Sequence, residues 1–248
     1  MKKHFLLFLC IVFTTILSAQ NTLQGKVFYT ISFKAFTKQQ VDSILEKGNR
    51  PRSTHSTIRK MLMNNEKATG VLAFSKNESL YQAEKKMKNG AKKNKGLSMA
   101  SMIAGGNTIY YTNSTEKDYY KQLNYAEPLR VDLLPIKWTI TQETKKIGNY
   151  LCFKALAVEK MREGKPLLKI AAWFTPTIPV SFGPIDYFGL PGLILEVSYN
   201  RINIKATKIV LNPKEKIVVK KPTKGKRMTN AEYVEMNRKF FKDLERKR

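Results

Sequence analysis

Few residues of this sequence could carry nucleophilic or metal chemistry. The chain contains two cysteines and two histidines, and only Cys152 and His55 lie beyond its first ten residues. These two could form a thiol–imidazole pair, because residues far apart in sequence can meet in a fold. Cys152, however, stands in an alternating apolar stretch, where a small buried thiol is the expected outcome. A zinc site usually takes about four ligands, mostly Cys or His. The sequence therefore predicts no catalytic residue, no metal site and no cofactor.

Acidic residues leave a second kind of chemistry open. Residues 178–197, IPVSFGPIDYFGLPGLILEV, contain only two charged residues, Asp186 and Glu196. We call this stretch the glycine–proline segment. Two carboxyl groups about 5–10 Å apart can hydrolyse a glycosidic bond, but the sequence does not give the distance between these two. A hydrolase that acts on envelope glycan or peptide through carboxylates near this segment is therefore kept as an alternative.

The composition of the glycine–proline segment indicates a compact turn. Proline fixes φ and cannot donate a backbone hydrogen bond, whereas glycine permits a positive φ or a close backbone approach. A structural motif of Gly189, Pro191, Gly192, Leu193 and Ile194 is expected to turn the chain into a buried strand. The aromatic and apolar neighbours either fill the core or line a cavity for an apolar ligand. On the second interpretation the binding residues are Trp173, Phe182, Tyr187, Phe188 and Leu190.

The elements that must position these residues are mostly strands. Alternating apolar residues, as at Val27, Tyr29, Ile31 and Phe33, predict a strand that packs on one face. Short strands follow one another without helices of crossover length between them, which favours antiparallel pairing. The expected strands are residues 26–33, 70–75, 78–84, 108–113, 118–123, 137–142, 150–161, 167–176, 193–199 and 201–211.

Helices are expected near both ends of the chain. Residues 39–47 and 53–66 repeat apolar residues at helical spacing, and a break at 48–51 separates them. Thr229 and Glu232 fit a capping box at the start of a C-terminal helix. The predicted fold class is mostly β (α+β). It is an antiparallel meander that forms a curved sheet or open half-barrel, with N-terminal helices and a C-terminal amphipathic helix.

The expected organisation is a leader followed by one domain. Lys2 and Lys3, an apolar run at 5–17 and small residues before Gln20 have the layout of a signal peptide over residues 1–19. The run is shorter than the ~20 residues that span a bilayer, so no transmembrane segment is expected after cleavage. Residues 20–248 then form a single β-rich domain, with a flexible lysine-rich loop at 85–106 and the C-terminal helix at 229–246.

The charge of the chain points to anionic partners. The formal net charge is +26, and such a field raises the rate of encounter with anions. The lysine-rich run at 85–95 contains no aromatic side chain on which bases could stack, so no nucleic acid is expected. The predicted partners are an anionic envelope lipid, a glycan or an outer-membrane protein. A solvated lysine-rich surface without a partner is the alternative.

The stretch FGLPGLILEV, residues 188–197, resembles the signature of the GLPGLI family. The resemblance implies an exported protein of a Gram-negative bacterium, in the periplasm or at the outer-membrane periphery, with no established activity. A non-enzymatic binding, carrier or assembly role for an envelope component is therefore expected, with the hydrolase and a structural docking subunit as alternatives. The similarity continues upstream, in the family's order, through Trp138–Ile140, Thr144–Tyr150, Cys152–Ala155, Ala172–Thr175 and Ile178–Pro184.

Overall fold

The computed structural model describes residues 23–48, 51–84, 98–159 and 167–246 of the chain. The predicted signal peptide and residues 85–97 of the predicted loop lie outside these ranges. The described helices are α1 (Lys38–Lys47), α2 (Arg52–Met63), α3 (Met99–Ile103) and α4 (Asn230–Arg246). The described strands are β1 (Gln24–Phe33), β2 (Ala68–Ser75), β3 (Glu78–Ala83), β4 (Ile109–Asn113), β5 (Asp118–Leu123), β6 (Leu129–Asp132), β7 (Thr139–Ile147), β8 (Tyr150–Glu159), β9 (Leu168–Thr175), β10 (Leu193–Tyr199), β11 (Ile202–Leu211) and β12 (Lys226–Met228).

These strands form one twelve-stranded sheet that does not close into a barrel. Their order across the sheet is β12-β6-β5-β4-β3-β2-β1-β11-β10-β9-β8-β7. β1 joins the two halves, because it pairs with β2 on one side and with β11 on the other. Neighbouring strands of the described chain are antiparallel except β12 and β6, which run parallel. The predicted mostly β fold with an open antiparallel sheet is confirmed, and β12 makes the sheet mixed.

Tight turns explain why consecutive strands pair with each other. Lys76, Lys117, Gly148 and Asn200 have positive φ values between 47° and 57°, and each lies between two consecutive strands. A left-handed residue reverses the chain within a few positions. The pairs β2–β3, β4–β5, β7–β8 and β10–β11 therefore fold back as hairpins.

The sheet has two chemically different faces, which we call inner and outer. Val27, Leu72 and Tyr81 lie opposite one another across β1–β3 and are buried on the inner face. Side chains in a strand alternate between faces, so Tyr120 of β5 lies on the outer face. There it is covered by residues 212–225, which run from β11 to β12 and which we call the return segment. The Tyr120 hydroxyl donates to the carbonyl of Pro222 at 2.6 Å.

Short elements are the main difference from the sequence-based expectation. β6 and β12 were not predicted, because strands of three or four residues show too little alternation to recognise. α3 lies within the loop expected at 85–106. Its N-cap is Ser98, whose side chain accepts from the Ser101 N–H at 3.1 Å, and Ala100 is buried against the core. Small residues allow this one helical turn to pack closely on the inner face.

The C-terminal helix begins where its capping box was predicted. The Glu232 N–H donates to the Thr229 hydroxyl at 3.2 Å, and the Thr229 N–H donates to the Glu232 carboxylate at 2.7 Å. Tyr233, in the first turn of α4, lies with its ring centroid 5.2 Å from the Lys121 ammonium of β5. The first turn therefore anchors the helix to the sheet, whereas Val234, one residue further on, is exposed.

Ion pairs tie the return segment to the β4–β6 part of the sheet. Asp118 lies 2.9 Å from Lys221 and 2.7 Å from Arg227, and Arg227 also reaches Asp132 at 2.7 Å. Burial acts to raise the pKa of the Asp118 carboxyl, but hydrogen bonds from Lys221 and Arg227 outweigh it and hold the pKa below its ordinary value. Asp118 thus joins β5 to the chain that enters β12.

We expect Asp118→Asn to lower the free energy of unfolding at neutral pH by about 1–2 kcal/mol, because charge-assisted hydrogen bonds that solvent partly screens are weakened. The folded-state pKa lies below the unfolded value, so this stabilisation is present above about pH 4 and is lost as the pH falls through the folded pKa. In urea unfolding, the difference from wild type should shrink between about pH 4 and pH 2. Glu215→Gln, an exposed position of the return segment, is the control and should change little. Equal stability of Asp118→Asn and wild type at neutral pH would contradict this role.

Candidate functional site

The glycine–proline segment folds back on itself between β9 and β10. The Leu193 N–H donates to the Ile178 carbonyl at 3.0 Å, and the Ile194 N–H donates to the Phe182 carbonyl at 3.0 Å. The hydroxyl of Tyr29, on the inner face of β1, donates to the Ile194 carbonyl at 2.6 Å. These bonds give partners to backbone groups that are buried, and they fix both arms of the segment against the middle of the sheet.

The side chains of the segment fill the inner core. Phe182 packs on Phe74 of β2 with ring centroids 6.1 Å apart, and Phe188 packs on Tyr119 of β5 at 4.6 Å. The Trp138 indole N–H donates to the Phe188 carbonyl at 2.9 Å. The buried apolar side chains of the segment are Ile178, Val180, Phe182, Ile185, Tyr187, Phe188, Leu190, Leu193, Ile194, Leu195 and Val197.

The structure therefore places four of the five candidate binding residues, Phe182, Tyr187, Phe188 and Leu190, among buried core side chains. Trp173, the fifth, lies elsewhere. Its chain neighbours in β9 are buried on the inner face, so alternation directs Trp173 to the outer face. The candidate residues thus divide between the two faces of the sheet and do not form one cluster.

The motif residues form the turn that leads into β10. A Cβ atom on Gly192 would lie 2.3 Å from the backbone carbonyl oxygen of Thr175, so only glycine fits there without a shift of the chain. Gly189 has open space around it but adopts a φ of +93°, which side-chain-bearing residues rarely adopt. Leu193 and Ile194 are fully buried as β10 begins. Pro191, which lies between the two glycines, has no N–H to leave unpaired at this turn.

The outer face around Trp173 is cationic. The Lys145 ammonium lies 4.2 Å from the centroid of the Trp173 ring, and the Lys154 ammonium lies 5.8 Å from it. Both distances are within the range of cation–π attraction. Lys205, Glu196, Trp173 and Lys154 are neighbours in register across β11, β10, β9 and β8.

Glu196 is the acidic member of this row. Its carboxylate lies 2.9 Å from the Lys145 ammonium and 3.9 Å from that of Lys205, and the residue is only 8% exposed. Its charge is therefore already matched by lysines, and the row as a whole stays cationic. We call Lys145, Lys154, Trp173, Glu196 and Lys205 the lysine–tryptophan face.

Asp186 has a different environment from Glu196, which bears on the hydrolase alternative. Desolvation raises the pKa of the Asp186 carboxyl, and the Lys121 ammonium opposes the shift. Desolvation also raises the pKa of Glu159, at the end of β8, and the nearby charge of Asp186 adds to it. The charge of Asp186 thus acts on the pKa of Glu159, whereas the pair that the sequence suggested was Asp186 with Glu196.

Cys152 is the buried thiol that its strand pattern predicted. Its sulfur lies 3.6 Å from the Tyr150 carbonyl, to which it donates. Burial raises the pKa of the Cys152 thiol to about 11, so the group is protonated at neutral pH and is a poor nucleophile. His55, its hypothetical partner, lies in α2.

Two features are absent from the described ranges. No cluster of three or more His, Cys, Asp or Glu side chains there could hold a metal ion. None of the helices in the same ranges is long and apolar enough to cross a membrane. A depression of about 430 Å³ does open where the glycine–proline segment meets the β2–β3 turn. Its lining combines apolar and polar residues: Leu23, Lys76, Asn77, Pro179 and Val180.

Comparisons with known proteins support the fold and leave the activity open. A family model described as "Protein of unknown function (Porph_ging)" matches residues 159–196, the stretch from the end of β8 into β10. Two solved structures of PNGF-II, in the P21 and C2 space groups, are similar with TM-scores of 0.53 and 0.50. Each is 17% identical in sequence, and the match covers 86% of this chain and 32% of PNGF-II. The chain thus spans about a third of the length of those structures. No curated protein matches it.

Sequence reasoning missed the lysines around Trp173 and the effect of the Asp186 charge on the pKa of Glu159. The first could have been found, because Trp173 alternates with the apolar residues on either side of it and must face away from them. The second had no local signal. It depends on how β8 and the glycine–proline segment meet in space, and the two residues are far apart in sequence.

Substitution of the two turn glycines of the segment is expected to lower stability by different amounts. Gly192→Ala should lower the free energy of unfolding by about 2–3 kcal/mol, because its Cβ would collide with a backbone oxygen that cannot move freely. Gly189→Ala should cost only about 1 kcal/mol, since the strain is conformational and the space is open. Chemical unfolding of both variants measures the difference, with Lys169→Gln as an exposed control. Unchanged stability of Gly192→Ala would contradict the packing described.

Proposed function

We propose that the protein is exported and acts as a non-enzymatic binding or assembly module for an anionic component of the cell envelope. The observation that carries the proposal is the lysine–tryptophan face. Lysine ammonium groups lie there over an indole ring, and the carboxylate of the row is buried and matched. Such a surface offers positive charge and apolar contact together, with no free acid in the row to repel an anion.

Three features of the sequence support a cell-envelope location. Residues 1–19 have the layout of a secretory leader. Residues 188–197 resemble the GLPGLI signature, and we propose kinship with that exported family. The net charge of +26 favours encounter with anionic lipids and glycans outside the cytoplasm. These features support the proposal of a periplasmic or outer-membrane-associated location.

The inner face supports a binding role over a catalytic one. The aromatic residues of the glycine–proline segment pack the core, and the one cysteine of the described residues holds its proton. A docking subunit that uses one continuous surface from Trp173 to Leu190 has less support, because Leu190 is buried and Trp173 faces outward.

A hydrolase is the second candidate, and one observation favours it. Asp186 and Glu159 both have a raised pKa and interact electrostatically. Glycosidic hydrolysis uses two carboxyl groups, one of which acts as a general acid with a raised pKa. Release of reducing ends from purified envelope glycan by the wild type, lost in Asp186→Asn and kept in Glu215→Gln, would select this candidate.

The binding proposal is tested by expressing the full chain in a Gram-negative host. We expect the purified product to begin at Gln20 by mass spectrometry and to be recovered with the envelope fraction. We also expect about 1 M salt to release it, because screening at that concentration confines electrostatic attraction to about 3 Å. A chain that lacks residues 2–19 is the matched control and should stay in the cytoplasm. An intact leader, or a processed chain that stays soluble at low salt, would contradict the proposal.

A further inference from the structure

The lysine–tryptophan face continues along β8 and β9 as a mixture of lysine and exposed aliphatic side chains. Lys169 of β9 is the register partner of Val158 of β8, and Leu156 lies on the same side of β8 as Val158. Val158 is 59% exposed, Leu156 is 39% exposed, and Lys169 is also exposed. Apolar side chains are therefore exposed to solvent between lysines on this face.

The same pattern extends to the other side of the row. Lys208 of β11 is the register partner of Phe28 of β1, and its ammonium lies 5.6 Å from the Phe28 ring centroid. Lys26, two residues before Phe28 on the same side of β1, is exposed. The cationic surface thus extends across β1, β11, β10, β9 and β8, with lysines next to aromatic or aliphatic side chains on both sides of the row.

Acidic residues do little to neutralise this surface. The five strands that form it contain two acids, Glu159 and Glu196. Alternation places Glu159 on the inner side of β8, and Glu196 is buried beneath its lysines. Glu143 of the adjacent β7 is engaged by Lys154 at 2.8 Å. The charge presented outward is therefore strongly positive.

We infer that this extended outer face docks on a membrane surface that carries anionic lipids. The inference rests on the proposed function and names its ligand class. Lipid phosphates complement the lysines, and exposed Leu156 and Val158 can leave water by entering the interfacial layer. An anionic polysaccharide would match the lysines alone and would leave those aliphatic side chains in water. The lipid surface is favoured because it uses both kinds of side chain.

Vesicle sedimentation with the full chain tests the inference. Wild type should bind vesicles of phosphatidylglycerol mixed with phosphatidylcholine and should not bind phosphatidylcholine alone. The triple variant Lys169→Gln, Lys205→Gln, Lys208→Gln should bind at least about tenfold more weakly, because each lysine near an anionic surface adds to the attraction.

The matched control removes the same charge from α1 and α2 with Lys38→Gln, Lys47→Gln and Lys60→Gln. It should stay within about twofold of wild type. Equal loss in both triple variants would show a net-charge effect and overturn the inference.

The aliphatic side chains separate a membrane from a soluble polyanion. The double variant Leu156→Thr, Val158→Thr keeps every charge and suits a strand, since threonine is β-branched. It should weaken vesicle binding by about threefold or more and leave binding to dextran sulfate unchanged. Tight dextran sulfate binding with vesicle binding that ignores the double variant would assign the face to a polysaccharide and overturn the lipid assignment.

Failure of the inference can be told from failure of the proposed function. Wild type that binds neither vesicles nor dextran sulfate, although it is folded by circular dichroism, would overturn both. If wild type binds either anion and both triple variants bind as well as wild type, the proposed function stands. The binding site must then lie on a different surface, which overturns the inference.

Discussion

Burial of the inner face is the constraint on which the rest of the structure depends. A sheet that is apolar on one face must cover it with a second layer, and this open sheet supplies that layer from its own chain. The glycine–proline segment lies against β1, β2 and β5, and α3 covers another part of the same face. The close contact of Gly192 with Thr175 and the bond from Ile194 to Phe182 let the segment lie near the strands with its backbone groups paired.

The same constraint assigns different chemistry to the two faces. Because the inner face takes most of the buried apolar side chains of this half, the outer face of β1 and β8–β11 carries lysines, two aromatic rings, a few aliphatic side chains and the buried Glu196. Among the described residues, the return segment covers the outer face where Tyr120 and Asp118 hold it, on the other half of the sheet. We therefore propose that binding uses the half of the outer face that the return segment does not cover, and that the glycine–proline segment supports it from the inner side.

Strand position was predictable wherever alternation and a tight turn act together. The expected strands at 118–123 and 193–199 coincide with β5 and β10, because a hairpin turn ends or begins each one. β6 and β12 escaped prediction because they are too short to show alternation, and β12 reaches β6 only after the return segment has crossed the sheet. For the candidate site, the sequence identified the aromatic residues and the turn glycines. It did not separate Trp173 from Phe182 and Phe188, because that division depends on which face each strand buries.

Hydrogen–deuterium exchange of the purified full chain tests the core role of the glycine–proline segment most directly. Amides of Leu193 and Ile194 donate to carbonyls within the buried segment, so they should exchange only through global unfolding, as slowly as the amides of β1. Peptides from α2, none of whose residues is buried, provide the faster-exchanging reference within the same sample. Exchange of Leu193 and Ile194 as fast as in that helix, under conditions where β1 stays protected, would show that the segment opens independently and would contradict its role as the inner layer.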